Sequence, residues 1–412
     1  MSEAISVENQ KIPATEVLAK EGYKKTNLGW IPEGWNLTSL NKVSQIKGDY
    51  GINAAAVEFS PKLPTYLRIT DIDKDGNFLE DGKKSVDDSQ SGNFILKEGD
   101  VVFARTGASV GKTYFHHKKN GKLIFAGFLI RFRTKISLLL PKYLFYYTHS
   151  NLYWNWVKVN SMRSGQPGIN SKEYGNLPFP LPPLPEQQKI AAILSTWDNA
   201  IGKQEQLIAA KQHYKKGLMQ LLLTGKKRFD GFIEDWKEVK LKDVFSLSSG
   251  STKPEDTIAK YDSYHTIPVY GGNGISGYSN KGFNEGISLL IGRVGEYCGI
   301  VHLVDGLYWI TDNCLYTKTF DNQSNIIYYS LLLKYLKLNR LKNKGGQPLV
   351  TQKPILNLKV KVPTHKEQQK IASVLSKADK EIALLQNQLT QLQTQKRGLV
   401  QKLLTGAVMV KI

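Results

Sequence analysis

The residues with the strongest claim to chemistry are 106–113, which read TGASVGKT directly after an apolar run at 101–104. A phosphate-binding P-loop needs a glycine where Thr106 stands and a helix after Lys112. The chain continues instead through Thr113, Tyr114, Phe115, His116 and His117, a strand-like run. A related stretch later in the chain, GEYCG at 295–299, has no Lys-Ser/Thr pair. The segment therefore reads as a glycine turn in a β-rich scaffold. An ATP-dependent enzyme built on Lys112 is the weaker alternative. The remaining candidates are poorer still. The seven histidines show no metal-ligand spacing, and no Gly-x-Ser-x-Gly nucleophile elbow occurs. Pro182 and Pro183 lack the flanking Asn or Asp and aromatic of an amino-methyltransferase site. His116 and His117 fall in a basic loop and read as surface. Cys298 and Cys314 form neither a CxxC pair nor a disulfide framework. The chain reads as a binder.

Composition says what it binds. Lys and Arg number 56 against 36 Asp and Glu, a net charge of +20 over 412 residues. An excess of this size points to a polyanion, most often nucleic acid. The first residues lack the apolar core of a signal peptide, and no run of 18 apolar residues occurs, so the expectation is a cytoplasmic chain without a membrane span.

The elements that must position any binding residues are set by a repeat. The 40 residues 186–225 and the 40 residues 367–406 align without a gap at an offset of 181, with 19 identities. Both read as helices. In the second, Ile371, Leu375, Ala378, Ile382, Leu385, Leu389, Leu392, Lys396, Leu399 and Leu403 alternate in steps of four and three, a heptad seam interrupted by Lys396. The first keeps the seam at Ile190, Leu194, Trp197, Ile201, Ile208, Leu218 and Leu222, with Gln204, Lys211 and Lys215 inside it. Thr364 with Glu367 has capping-box spacing, Pro185 suits the first helical position, and Gly225 and Gly406 suit left-handed ends. Forty residues make a rod of roughly 60 Å. Its seam needs a cover, and the duplicate offers one in an intramolecular antiparallel coiled coil. The alternative is two helices each packed on its own domain.

The expected organisation is a polar, loosely ordered lead (1–25), a globule (26–184), a long helix (185–228), a second globule (229–363) and a second long helix (364–412). The globules are themselves distantly related. Residues 101–115 match 288–302, with Gly107 and Gly111 opposite Gly295 and Gly299, and RSGQPGI at 163–169 matches KGGQPLV at 344–350. Helical patterns fall near 143–157 and 326–341. The fold class is α+β: two mixed α/β domains and two long helices in a pseudo-two-fold internal repeat.

With its GQPGINSKEYGNLPFPLPPLPEQQKIAAIL run, its helix closing on LLLTGKKRF, and the recurrence of both patterns, the chain resembles the specificity subunit of type I restriction–modification systems. The PVYGGNGISGY and IGRVGEYCG stretches fit that family's target-recognition domains. One departure is VKVPTH at 360–365 where the first copy has PLPPLP. The resemblance implies two target-recognition domains, each reading half of a split double-stranded DNA site. Between them, helices would set the spacer and dock two methyltransferase subunits. It implies no catalysis and no cofactor in this chain, with S-adenosylmethionine in the methyltransferase partner and ATP and Mg in a restriction partner. Antiparallel rods would place the two readers on successive major grooves roughly 35 Å apart. Basic residues would hold phosphates, and polar loop side chains would read bases. The loop candidates are Arg105, Ser109, Lys112, Arg163 and Gln166 in the first domain. In the second they are Asn273, Asn280, Lys281, Arg293, Lys344 and Gln347. A turn or plain surface role fits any one of these equally well, and the alternative for the whole chain is a coiled-coil scaffold or DNA-binding protein outside restriction.

Overall fold

A computed structural model describes residues 21–343 and 345–412. Most of the polar lead (1–20) and the candidate Lys344 therefore lie outside the described residues. The α-helices of the described residues are α1 (Pro141–Tyr147), α2 (Asn151–Asn160), α3 (Ser171–Gly175), α4 (Leu184–Leu222), α5 (Ile326–Leu336), α6 (Gln352–Leu356) and α7 (His365–Leu404). The chain divides into two compact units. One takes the described part of Met1–Lys203 with Leu389–Ile412, and the other is Gln204–Gln388. Each unit thus owns one globule and half of each long helix.

In the first unit the central sheet runs Ser44–Tyr50, Leu129–Thr134, Val101–Ala104, Thr113–Phe115, antiparallel throughout. Val101–Ala104 is apolar at every position because both its faces are covered. Val101 and Phe103 pack under Tyr143, Tyr147 and Tyr153 of α1 and α2, while Val102 and Ala104 face Leu67 and Phe125 of a second sheet. The second unit repeats the order with Phe245–Ser249, Cys314–Phe320, Ser288–Gly292 and Val301–Val304. Leu289 and Ile291 again face helices, and Leu290 faces the other way. The units differ in the second sheet. It is Leu123–Phe125, Thr65–Leu67, Lys84–Val86, Ala56–Glu58 in one, and Gly274–Ser279, Ile267–Gly271, Leu307–Ile310, Asn284–Glu285 in the other.

Two local expectations need correction. Tyr23–Thr26 pairs with Gly29–Pro32 in a hairpin, and the Tyr23 hydroxyl donates to the Gly406 carbonyl at 3.0 Å, so order begins inside the lead. The helical pattern at 143–157 is two helices, because Ser150 accepts from the Tyr153 N–H at 3.3 Å and caps a new start. Likewise α5 stops at Lys337, which takes a left-handed conformation (φ 51°).

The long helices are anchored by the repeated Glu-Gln. Gln187, fully buried, accepts from the Leu140 N–H (2.8 Å) and donates to the Leu138 and Pro182 carbonyls (2.9 Å each). Its counterpart Gln368 accepts from the Asn325 N–H (2.9 Å) and donates to the Pro363 carbonyl (3.0 Å). Glu186 accepts from the Trp35 indole (2.8 Å), whereas buried Glu367 takes both Nε and Nη2 of Arg228 (3.0 and 2.7 Å). The Trp236 indole N–H is buried without a partner. Gly225 (φ 71°) and Gly406 (φ 73°) end the rods in the left-handed region, and a Cβ on Gly406 would meet Pro32 at 2.3 Å.

Within each unit the two helices pack together antiparallel. In the second, Gln204 donates to the Leu385 carbonyl (2.9 Å), Lys211 pairs with Glu381 (2.6 Å) and Lys215 with Asp379. Numbers rise along α4 as they fall along α7. In the first, Lys396 meets Asp198 (2.5 Å) and lies over the Tyr146 ring. Asp379 and Lys396 are the repeat counterparts of Asp198 and Lys215, so this ion pair occurs twice. These two lysines inside the seam are therefore seated, each on an aspartate of the other helix. Ile190, Leu194, Ile208, Leu222, Ile371, Leu375, Ile382 and Leu403 are buried; Trp197, Ile201, Leu218, Leu385, Leu389, Leu392 and Leu399 are half-buried. Globules cover the seam ends, so the two sequence alternatives each hold for part of the rods.

Candidate nucleic-acid interface

The TGASVGKT segment is a hairpin. Val101–Ala104 pairs with Thr113–Phe115, and the connection is a single 3-10 turn, Gly107–Ser109. Backbone bonds close the turn, Lys112 N–H to Ser109 (3.0 Å) and Gly111 N–H to Ala104 (3.1 Å). The Tyr174 hydroxyl accepts from the Gly111 N–H (3.1 Å) and donates to the Ala104 carbonyl (2.8 Å). Gly111 (φ 88°) could carry no side chain, since a Cβ would lie 2.7 Å from Val157. Strand comes after Lys112, so the segment has no nucleotide-binding geometry.

That hairpin is zipped to the Gln-Pro segment. The Gly107 N–H donates to Pro167 (2.9 Å), the Ile169 N–H to Arg105 (2.9 Å), and Thr106 bridges Gly168. Arg105 and Gln166 are brought together there, with Gln166 Nε2 against Gly107. Arg105 lies over the Tyr50 ring, 4.7 Å from its centroid. The second unit makes the same zipper: the Gly295 N–H to Pro348 (2.8 Å), the Val350 N–H to Arg293 (2.8 Å), and Val294 bridging Leu349. Arg293 and Gln347 are thus the counterparts of Arg105 and Gln166. Gly272 packs near Val294 and Asn313, so the exposed Asn273 turn sits beside Arg293.

The other candidates lie elsewhere. Arg163 is held by both Glu173 oxygens (2.6 and 2.7 Å) and closes its own loop. Ser109 and Lys112 sit on the far side of the hairpin turn, half-buried. Asn280 and Lys281 are at the other end of strand Gly274–Ser279, roughly 20 Å along it. Asp256 pins them there by accepting from Ser279 Oγ and the Asn280 N–H. His116 is not a surface residue. It is buried beside the Tyr114 hydroxyl (3.2 Å), and burial pushes its pKa down. Cys298 and Cys314 are buried and free, and burial pushes the Cys314 thiol up to about 12. Among the described residues no cluster of His, Cys, Asp or Glu is placed to hold a metal. No helix there is long and apolar enough to cross a membrane.

Sequence reasoning missed Tyr50 and Ser249, which end the first strand of the two central sheets beside Arg105 and Arg293. The signal was the glycine after each. A Cβ on Gly51 would meet the Phe125 carbonyl at 2.2 Å, and one on Gly250 the Thr311 carbonyl at 2.3 Å.

Residues 32–210 and 233–394 each match the type I restriction modification DNA specificity domain. The chain belongs to this family. It is 27% identical over 429 residues to the type I restriction enzyme MjaVIII specificity subunit of Methanocaldococcus jannaschii, covering 95% of this chain and 97% of that one. It is 24% identical over 369 residues to the EcoprrI specificity subunit of Escherichia coli, covering 85% and 87%. The fold is shared with the S subunit of a type I restriction–modification system from M. genitalium, with a TM-score of 0.61 and 16% identity over 92% of this chain and 96% of that one. A chain from a structural study of type I R-M complex assembly and conformational transition gives 0.57 and 18% over 92% and 99%. The duplicated α+β specificity domain is the fold described above, and its business is DNA sequence recognition.

Proposed function

We propose that this chain reads a bipartite, asymmetric DNA site for a type I restriction–modification complex, one half-site per unit. The observation that carries this reading is the zipper built twice. In each unit the same backbone bonds hold an arginine and a glutamine at the end of an inner strand of the central sheet. Arginine and glutamine are side chains that can make paired hydrogen bonds to base edges in the major groove. The scaffold behind them is repeated, while the second sheets beside them differ, as two different half-sites require. The charge of +20 supplies phosphate contacts that position without specifying.

In this reading α4 and α7 hold the spacer and dock two methyltransferase subunits, and through them the restriction subunits. S-adenosylmethionine belongs to the first partner, ATP and Mg to the second, and this chain performs no catalysis. A second stripe on α4 supports docking. Leu207, Ala210, Tyr214, Gly217 and Leu221 recur in steps of three and four and are exposed, with Leu207 at 42% and Tyr214 at 62%. This is heptad spacing on a flank of α4, about 100° round the helix from the seam that faces α7, suited to a partner's helix. Selection of bound sequences from random DNA by the assembled complex tests the reading. Two blocks at a fixed gap are expected; one contiguous block would contradict it.

A further inference from the structure

We infer that the residue ending the first strand of each central sheet, Tyr50 in one unit and Ser249 in the other, sets the pose of the neighbouring arginine. It thereby decides how strictly that arginine reads a base. This rests on the reading above, in which Arg105 and Arg293 face DNA.

The positions are equivalent by construction. Tyr50 pairs with Ile130 of strand Leu129–Thr134 and Ser249 with Leu315 of strand Cys314–Phe320, the neighbouring strand of its sheet in each case. Each precedes a glycine wedged against carbonyl oxygens, so the chain cannot shift there. The Gly51 N–H donates to Leu129 (3.2 Å) and the Ile52 N–H to Phe125 (3.0 Å). The Gly250 N–H donates to Cys314 (3.1 Å) and the Ser251 N–H to Ile310 (2.9 Å). Both arginines are held at the backbone by bonds on either side. The Arg105 N–H donates to Phe128 (3.0 Å) and that of Arg293 to Asn313 (2.9 Å), while each carbonyl accepts from the Gln-Pro segment.

The side chains then part company. The Tyr50 ring is fixed at its far end, where its hydroxyl accepts from the Ser171 N–H at 3.1 Å. Arg105 lies on that ring at 4.7 Å. A guanidinium stacked on an aromatic face is steered in one plane, with its donors directed sideways. That is the geometry for two parallel bonds to the O6 and N7 edge of a guanine. Arg293 meets a serine at the position where Arg105 meets the Tyr50 ring. Its Nη1 reaches Ser249 Oγ at 3.4 Å and the Asp312 carbonyl at 3.5 Å, both long contacts that hold it weakly. Arg105 should therefore be the strict reader and Arg293 the permissive one.

The test is sequence selection by the assembled complex carrying single variants. Arg105→Ala should erase the preference at one base pair of one half-site. Tyr50→Ala should weaken the preference at that same base pair about threefold to thirtyfold. Tyr50→Phe, which keeps the ring, should restore most of what Tyr50→Ala loses. Ser249→Tyr should sharpen one position in the other half-site. If Arg105→Ala changes the preference but Tyr50→Ala leaves it intact, or lowers affinity equally for all sequences, the inference is overturned and the DNA reading stands. If Arg105→Ala changes nothing, the reading in which Arg105 faces DNA fails. Should Tyr50→Ala not fold, Tyr50→Phe and Ser249→Tyr decide, and an unchanged second half-site in Ser249→Tyr counts against the inference.

Discussion

Removing the Gln187 amide should unfasten the first long helix from its globule. In Gln187→Ala the partly buried Leu140 N–H loses its acceptor, and the Leu138 and Pro182 carbonyls lose their donor. A buried N–H left unpaired costs about 1–3 kcal/mol, and each lost bond to a carbonyl about 1 kcal/mol more. The sum is about 3–5 kcal/mol, with no compensating apolar gain because the site is polar. The assay is hydrogen exchange read by mass spectrometry on the full chain. Peptides covering α1 and the start of α4 should lose protection by roughly a hundredfold to several thousandfold, at about 1.4 kcal/mol per tenfold. Peptides covering α5 and the start of α7, which Gln368 holds, serve as the internal reference. The reasoning is refuted if protection around α1 changes less than about fivefold, or if both regions lose it equally.

Three further outcomes rest on the same geometry. Leu385→Asp puts a charge at a half-buried seam position beside Gln204 and should cost several kcal/mol, whereas Asn387→Asp, exposed, should be tolerated; thermal unfolding compares them. Burial holds the His116 pKa below its usual 6.5, so above 6.5 folded and unfolded chains are both neutral there. As pH falls from 6.5 the unfolded chain protonates first and stability declines until the folded value is passed, so His116→Gln should flatten part of that slope in a pH series of unfolding measurements. Inserting one heptad after Gln204 and one after Leu385 adds about 10 Å to each rod. In the assembled complex it should lengthen the selected spacer by about three base pairs with both half-sites kept; recovery of the original spacer at full affinity would show that the rods do not set it.

The rods were legible because a heptad seam is a one-dimensional signal, and an ungapped repeat carries it twice. Even the seam lysines could be seen, but not their partners. Asp198 and Asp379 lie outside the seam on the other helix, and only the antiparallel register brings them to Lys396 and Lys215. The zipper was half legible. Matching Gly107 with Gly295 and RSGQPGI with KGGQPLV found both segments, but nothing local says that the two lie side by side. Tyr50 was invisible for the same reason, since it meets Arg105 across a strand, a turn and about fifty residues of chain. His116 was misread because a basic neighbourhood in sequence says nothing of Tyr114, which folds the imidazole inward.

The central claim is that two independent readers share one chain. Its most direct test replaces residues 26–183 with the same region of a related specificity subunit and maps methylation in a host that supplies the partner methyltransferase. One half of the modified site should change to a new sequence, with the other half and the spacer preserved. A change in both halves together, or methylation at the original full site, would contradict it.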